Sequence, residues 1–278
     1  MGTSKSLKTP SGGHWTRPKR QLTDFLGGGS PFDAQRFVRS ALGALGGLGM
    51  KPRLTSIEDD SSATSSGRVR SQRTRSGGGG GGAGGFSGGG AVLSEAVQGL
   101  GGFGTQVVSG GLDTALGSLG LQDLRGRPAA EVVAQVAEYL SRGASGRQAE
   151  VLEAALRDTI FDIAAVEDAG SYEDLEGALQ SFMDREGLEG FIESFLSQYV
   201  FTAVWSYFES HVKSNTEGTS DEALASAVES ACRSLVSQEL KAVREAQQFE
   251  RIDWFGNGGQ RFAESIIDQL QSNLRAPE

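Results

Sequence analysis

Residues 91–119 read AVLSEAVQGLGGFGTQVVSGGLDTALGSL, and this stretch decides the fold class: its apolar residues recur every three or four positions through a run rich in glycine. Val92, Ala96, Val97, Leu100, Phe103, Val107, Val108, Leu112, Ala115, Leu116 and Leu119 carry the stripe. A helix is expected even though glycine is a poor helix former. The same period continues downstream. Pro128 opens a helix near 128–142, and a second follows near 147–166. Ser171-Tyr172-Glu173-Asp174 reads as a capping box that starts one near 172–184. Helices near 187–213, 220–250 and 258–274 complete the set, with polar turns at 215–221 and 253–259 between them. No alternating strand pattern competes. The expected fold is all-α, a helical-bundle body over 91–278.

Upstream the composition changes. Of the 41 glycines, 31 lie between Gly2 and Gly126. Residues 1–90 hold 13 Lys/Arg against 5 Asp/Glu, a net +8, whereas 91–278 hold 13 against 30, a net −17. The overall charge of −9 therefore hides a basic arm on an acidic body. Such an arm can dock on nucleic acid, on an anionic membrane, on an acidic partner or on its own body, and net charge does not choose among these.

The arm divides into three. Residues 1–30, with Pro10, Pro18 and glycine clusters, cannot bury enough apolar surface to offset chain entropy and are expected to be disordered, or ordered by a partner. Within them Trp15, Leu22, Phe25 and Leu26 suggest docking, with a short helix possible over 16–25. Segment 31–49 has helical spacing, with Ser30-Pro31 as its expected start. Gly43 and Gly47 either let another helix approach closely or merely fray its end. Residues 50–90, rich in Ser, Thr and Arg and then glycine, read as a flexible linker.

Catalysis finds little support in the residue inventory. One cysteine, Cys232, and two histidines, His14 and His211, supply neither a disulfide framework nor a cysteine/histidine zinc site. Cys232 reads as a small core residue and His211 as a packed neighbour of Trp205, Tyr207 and Phe208. Carboxylate runs such as Glu58-Asp59-Asp60 and Glu173-Asp174-Glu176 read as solvated surface, since nothing in their spacing marks a pair sharing a pocket. Gly256-Asn257-Gly258-Gly259 lacks the preceding strand and the following Lys-Ser/Thr of a phosphate loop. It reads as a helix–helix turn, with Asn257 near a cap and the Trp254 indole packed and hydrogen-bonded. No apolar run is long enough to span a membrane and no secretory core is evident, so the expectation is a cytoplasmic, non-enzymatic protein with no metal.

Two arm motifs leave alternatives open. Met1-Gly2-Thr3-Ser4-Lys5-Ser6 exposes a glycine amine once methionine is removed, and it also fits the myristoylation form beside Lys5 and Lys8. An unmodified tail, a lipidated membrane adaptor and another N-terminal modification all remain open. Arg68, Arg70, Arg73 and Arg75 can track phosphates, as a nucleic-acid-binding accessory would use them. Stacking aromatics are missing nearby apart from Phe86, which favours a solvated linker that does not bind nucleic acid directly.

Taken together, the Met1-Gly2-Thr3-Ser4 start, the Trp15–Leu26 segment, the glycine-rich linker and the ending Asp253-Trp254-Phe255-Gly256-x-Gly258-Gly259 resemble the QatB family of bacterial anti-phage Qat operons. The resemblance implies a cytoplasmic bacterial defence component working beside an ATPase, a TatD-like nuclease and a QatC-type protein similar to the preQ0 synthase QueC. It further implies that catalysis, ATP and a deazapurine belong to partners, with no cofactor bound by this chain. Gly2 would be the modification acceptor, with Thr3 and Ser4 following it into the partner. Lys5, Lys8, Arg17, Lys19 and Arg20 would steer the arm, and Trp15 and Phe25 would anchor it. Asp253, Trp254, Gly256, Gly258 and Gly259 would form a structural motif.

Overall fold

A computed structural model describes residues 15–26, 31–46, 89–164, 170–215, 220–246 and 249–274. Among these the regular secondary structure is all helical, joined by turns and short irregular segments. The helices are α1 (Thr16–Leu26), α2 (Ala34–Leu45), α3 (Gly89–Ser118), α4 (Ala129–Leu140), α5 (Arg147–Ala164), α6 (Tyr172–Asn215), α7 (Ser220–Ala246) and α8 (Asn257–Leu274). Helix α6 is the hub, packing on α5, α7 and α3, while α3 also packs on α8, and α2 bridges α1 to α7.

Of the stripe of 91–119, Ala96, Val97, Leu100, Phe103, Val107, Leu112, Ala115 and Leu116 are buried and Val92 and Leu119 partly so, while Leu93, which the stripe left out, is buried as well. Val108 is a correction, because it is 62% exposed. Val108 lies about 100° round the helix from Val107, and at this point of α3 that step carries it to the solvent side.

Helices α3 and α6 each contain one break. Gly111 (φ 78°, ψ −179°) interrupts α3 and Gly187 (φ 68°, ψ −178°) interrupts α6, both in the positive-φ region that disfavours a side chain. The expected boundary between helices ending near 184 and starting near 187 is thus a kink at Gly187. At the other break α6 supplies the missing acceptor: the Leu112 N–H donates to Glu176 Oε1 at 3.0 Å. Nearby, the Tyr172 hydroxyl donates to Asp113 Oδ1 at 2.6 Å, so the first turn of α6 is fastened to the second half of α3. Burial first, and then the Asp113 carboxylate, push the Tyr172 phenol up. The expected capping box closes this turn. Ser171 Oγ accepts from the Asp174 N–H at 3.1 Å, and Asp174 Oδ2 accepts from the Ser171 N–H at 3.2 Å.

The N-terminal boundaries differ from expectation. Helix α2 starts at Ala34, capped by Asp33, whose Oδ1 accepts from the Arg36 N–H at 3.0 Å; the Ser30-Pro31 start is set aside because a carboxylate three residers before that amide caps the helix directly. A side chain on Gly43 would meet nothing, so among the described residues no helix approaches there. Residues 15–26, grouped with the arm in the sequence reading, instead join the body. Trp15 and Leu22 share one buried cluster with Phe37, Leu93 and Leu270. Gly2, Thr3, Ser4, Lys5, Lys8, His14, Gly47 and nearly all of the 50–90 linker lie outside the described residues, as does the side chain of His211.

Candidate functional site

The root of the arm is fixed by an aromatic contact. Trp15, 5% exposed, stacks on Tyr207 with ring centroids 5.3 Å apart and an interplanar angle of 28°, and its ring lies 5.9 Å from Phe208. The Arg147 guanidinium lies 3.9 Å from the centre of the Tyr207 ring and donates through Nη2 to Ser206 Oγ at 2.8 Å. Arg147 Nε and Nη1 are buried without a partner, so the cation is held against the aromatic face and not against an acid. Phe25 continues the cluster through Phe32 (5.0 Å), Phe37 (5.5 Å) and Phe208 (4.9 Å).

Trp15 and Phe25, expected to hold a partner, are therefore placed in contacts within this chain. Of the cationic residues of α1, Arg17 and Arg20 are exposed and Lys19 is half-buried, and Arg20 pairs with Asp24 at 3.6 Å. The sequence reading did not single out Arg147 or Ser206, and it took Tyr207 as part of a packed stripe. Their roles depend on bringing α5 and α6 to residue 15, which leaves no local pattern.

The Asp253–Gly259 motif is a wedge. The Trp254 indole, 2% exposed, lies against Gly101 of α3, and its N–H donates to the Phe249 carbonyl at 3.3 Å. The Gly259 N–H donates to the Asp253 carbonyl at 2.8 Å, and Asp253 Oδ1 accepts from the Phe255 N–H at 3.3 Å. Gln98 ties the turn to α3 by donating to the carbonyls of Trp254 (3.1 Å) and Gly256 (3.3 Å). A side chain on Gly259 would come within 2.6 Å of Trp254 Cα, and one on Gly102 within 3.0 Å of the Phe255 ring. The glycines that look out of place in a helix are the seat for this turn. Helix α8 starts at Asn257, next to the expected cap position.

A third feature was not legible beforehand. Two adjoining cavities of about 300 and 350 Å³ lie between α5, α6 and α7 and share Phe182, Ser194, Ser197 and Arg233. Partial burial first, and then Glu229 and Asp158, hold the Asp162 carboxyl above the usual range, with Arg233 opposing. Cys232 is fully buried nearby on α7, and burial pushes its thiol up, which suits packing and not nucleophilic attack. Among the described residues no three His, Cys, Asp or Glu side chains gather as a metal site, and no helix is long and apolar enough to cross a membrane.

Among the described residues these features define an all-helical scaffold that packs its own first helix against the body. A family model described as QatB, Qat anti-phage system associated protein, matches residues 81–274, and the chain belongs to that family. It is accordingly a component of an anti-phage defence system, with protein partners in that system. No curated protein and no solved structure matches the chain.

Proposed function

We propose that this chain is a non-catalytic component of the defence complex whose N-terminal glycine arm docks into a QueC-like, QatC-type partner and is modified there at Gly2. The observation that carries the reading is the stacking of Trp15 on Tyr207, a ring that Arg147 also lies against. It fixes one end of a tether. Gly2 lies thirteen residues ahead of Trp15 and extended chain covers about 3.5 Å per residue, so the glycine amine can be offered up to roughly 45 Å from the anchor. A modifying enzyme needs a narrow, unhindered end presented at a defined place, and Gly2-Thr3-Ser4 has small side chains throughout.

In this reading Lys5, Lys8 and the outward face of α1, with Arg17, Lys19 and Arg20, steer the arm to an acidic entrance, while Trp15 and Phe25 hold its root. ATP and the deazapurine are bound by the partner, and this chain is the acceptor. An ATPase and a TatD-like nuclease complete the complex, which works in the bacterial cytoplasm without direct nucleic-acid or membrane contact by this chain.

The test is the mass of the Gly2-containing peptide from protein expressed alone and with its operon neighbours. A deazapurine-sized increase on Gly2 only with the neighbours supports the reading. An unmodified amine in both samples overturns it, and a myristoyl mass points to a lipidated adaptor instead.

A further inference from the structure

The groove between α5, α6 and α7 has no part in that reading, and its chemistry is distinctive. Its walls carry five carboxylates, Asp162, Glu186, Glu189, Glu193 and Glu229, against the guanidiniums of Arg185 and Arg233. One of these cations is already engaged, because Arg233 pairs with Glu229 at 3.3 Å. The carboxylates are spread along the groove and do not converge as a metal cage. An array of that kind suits delocalised cations with several donors, such as guanidinium groups.

An independent observation points to a ligand. Ser197 is 5% exposed and lines both cavities, yet its buried Oγ has no hydrogen-bond partner. Buried hydroxyls in folded proteins are normally satisfied. An N–H donor seated in the groove would supply the missing bond, and Phe182, which lines both cavities, adds an aromatic wall beside it.

We propose that this groove is a binding site for an arginine-rich peptide, and that its occupant is this chain's own segment 68–75, Arg68-Val69-Arg70-Ser71-Gln72-Arg73-Thr74-Arg75. Charge complementarity and chain length carry the choice. The segment has four arginines and no acid in eight residues, and it belongs to the basic part of the chain.

It also reaches. Gly104 lies fifteen helical residues beyond Gly89, about 22 Å along α3. A side chain there would sit 3.2 Å from Phe191, whose ring is 6.4 Å from Phe182 in the groove wall. The groove edge is therefore within about 35 Å of Gly89, whereas the fourteen residues from Arg75 to Gly89 can extend to roughly 48 Å. From the other side, Gln35 bonds Ser234, next to Arg233, at 3.2 Å. Gly46 lies eleven residues further along α2, about 17 Å, and the twenty-two residues to Arg68 can span roughly 75 Å. Both tethers are long enough, and tethering raises the local concentration of the segment to around the millimolar range.

The test uses the full chain and a fluorescent synthetic peptide of residues 66–77, with binding read by anisotropy at low salt. A chain carrying Arg68→Gln, Arg70→Gln, Arg73→Gln and Arg75→Gln has lost its internal occupant and should bind the peptide at least roughly tenfold more tightly than the wild-type chain. Adding Asp162→Asn with Glu229→Gln should weaken that binding roughly tenfold. Adding Asp123→Asn with Glu173→Gln, the same change of charge outside the groove, should leave it as it was. Asp162→Asn alone preserves the Glu229–Arg233 pair and guards against loss of fold, which circular dichroism checks; it should weaken binding severalfold. Equal binding by the wild-type and arginine-free chains would overturn the self-occupancy and leave the groove to a basic segment of a partner. No binding by the arginine-free chain, or equal weakening by the groove pair and the control pair, would overturn the site itself.

Discussion

The ring of Trp254 occupies the space that a side chain on Gly101 would need, so two residues 153 positions apart in sequence are complementary in shape. Gly101→Ala would force the indole out of its seat or push α3 from α8. We expect a loss of about 1–3 kcal/mol, the usual cost of overpacking a close-packed core, measured by urea denaturation. Gly43→Ala is the contrast. A side chain there meets nothing on the exposed face of α2, so the change should stabilise by about 0.5–1 kcal/mol through reduced chain entropy.

Trp15→Ala should release α1 without unfolding the body, since the helix joins the core largely through Trp15, Leu22 and the Phe25 cluster. Hydrogen exchange of amides 16–26 should speed up by roughly tenfold or more, while α6 stays protected away from Tyr207. A double-mutant cycle of Trp15→Ala and Tyr207→Ala should give a coupling of about 0.5–1.5 kcal/mol. Additive effects would show that the stacked pair does not hold the arm.

Glu176 serves the break at Gly111 by accepting the Leu112 N–H. Glu176→Ala strands that amide and should cost about 1–2 kcal/mol in chemical denaturation. Glu176→Gln keeps an acceptor and should cost less. Tyr172→Phe removes the hydroxyl bond to Asp113 and should cost about 0.5–1.5 kcal/mol.

The cap of α6 gives a pH signature. Hydrogen bonds from the Ser171 hydroxyl, and then from the Ser171 N–H, hold the Asp174 carboxyl below its usual range. A carboxylate depressed on folding stabilises fully above its unfolded value of about 3.9, and that contribution is lost as the pH falls through the lower folded value. Ser171→Ala should cost about 1 kcal/mol at neutral pH. The gap from the wild-type chain should narrow, without closing, below about pH 3. Carboxyl NMR should show Asp174 titrating higher in the variant.

The all-α class, most helix limits, the Ser171–Asp174 cap and the packed Trp254 turn were readable from the chain alone, because periodicity, caps and turns are set by residues a few positions apart. The glycines of 91–119, Gly101 and Gly102 among them, read from the chain alone only as poor helix formers. Which group approaches them, and that Trp15 returns to Tyr207 and Phe208 instead of reaching outward, depended on tertiary packing. So did the convergence of Asp162, Ser197 and Glu229 on one groove. These contacts join helices distant in sequence, and burial energy depends on the surface each residue meets, which no local pattern records.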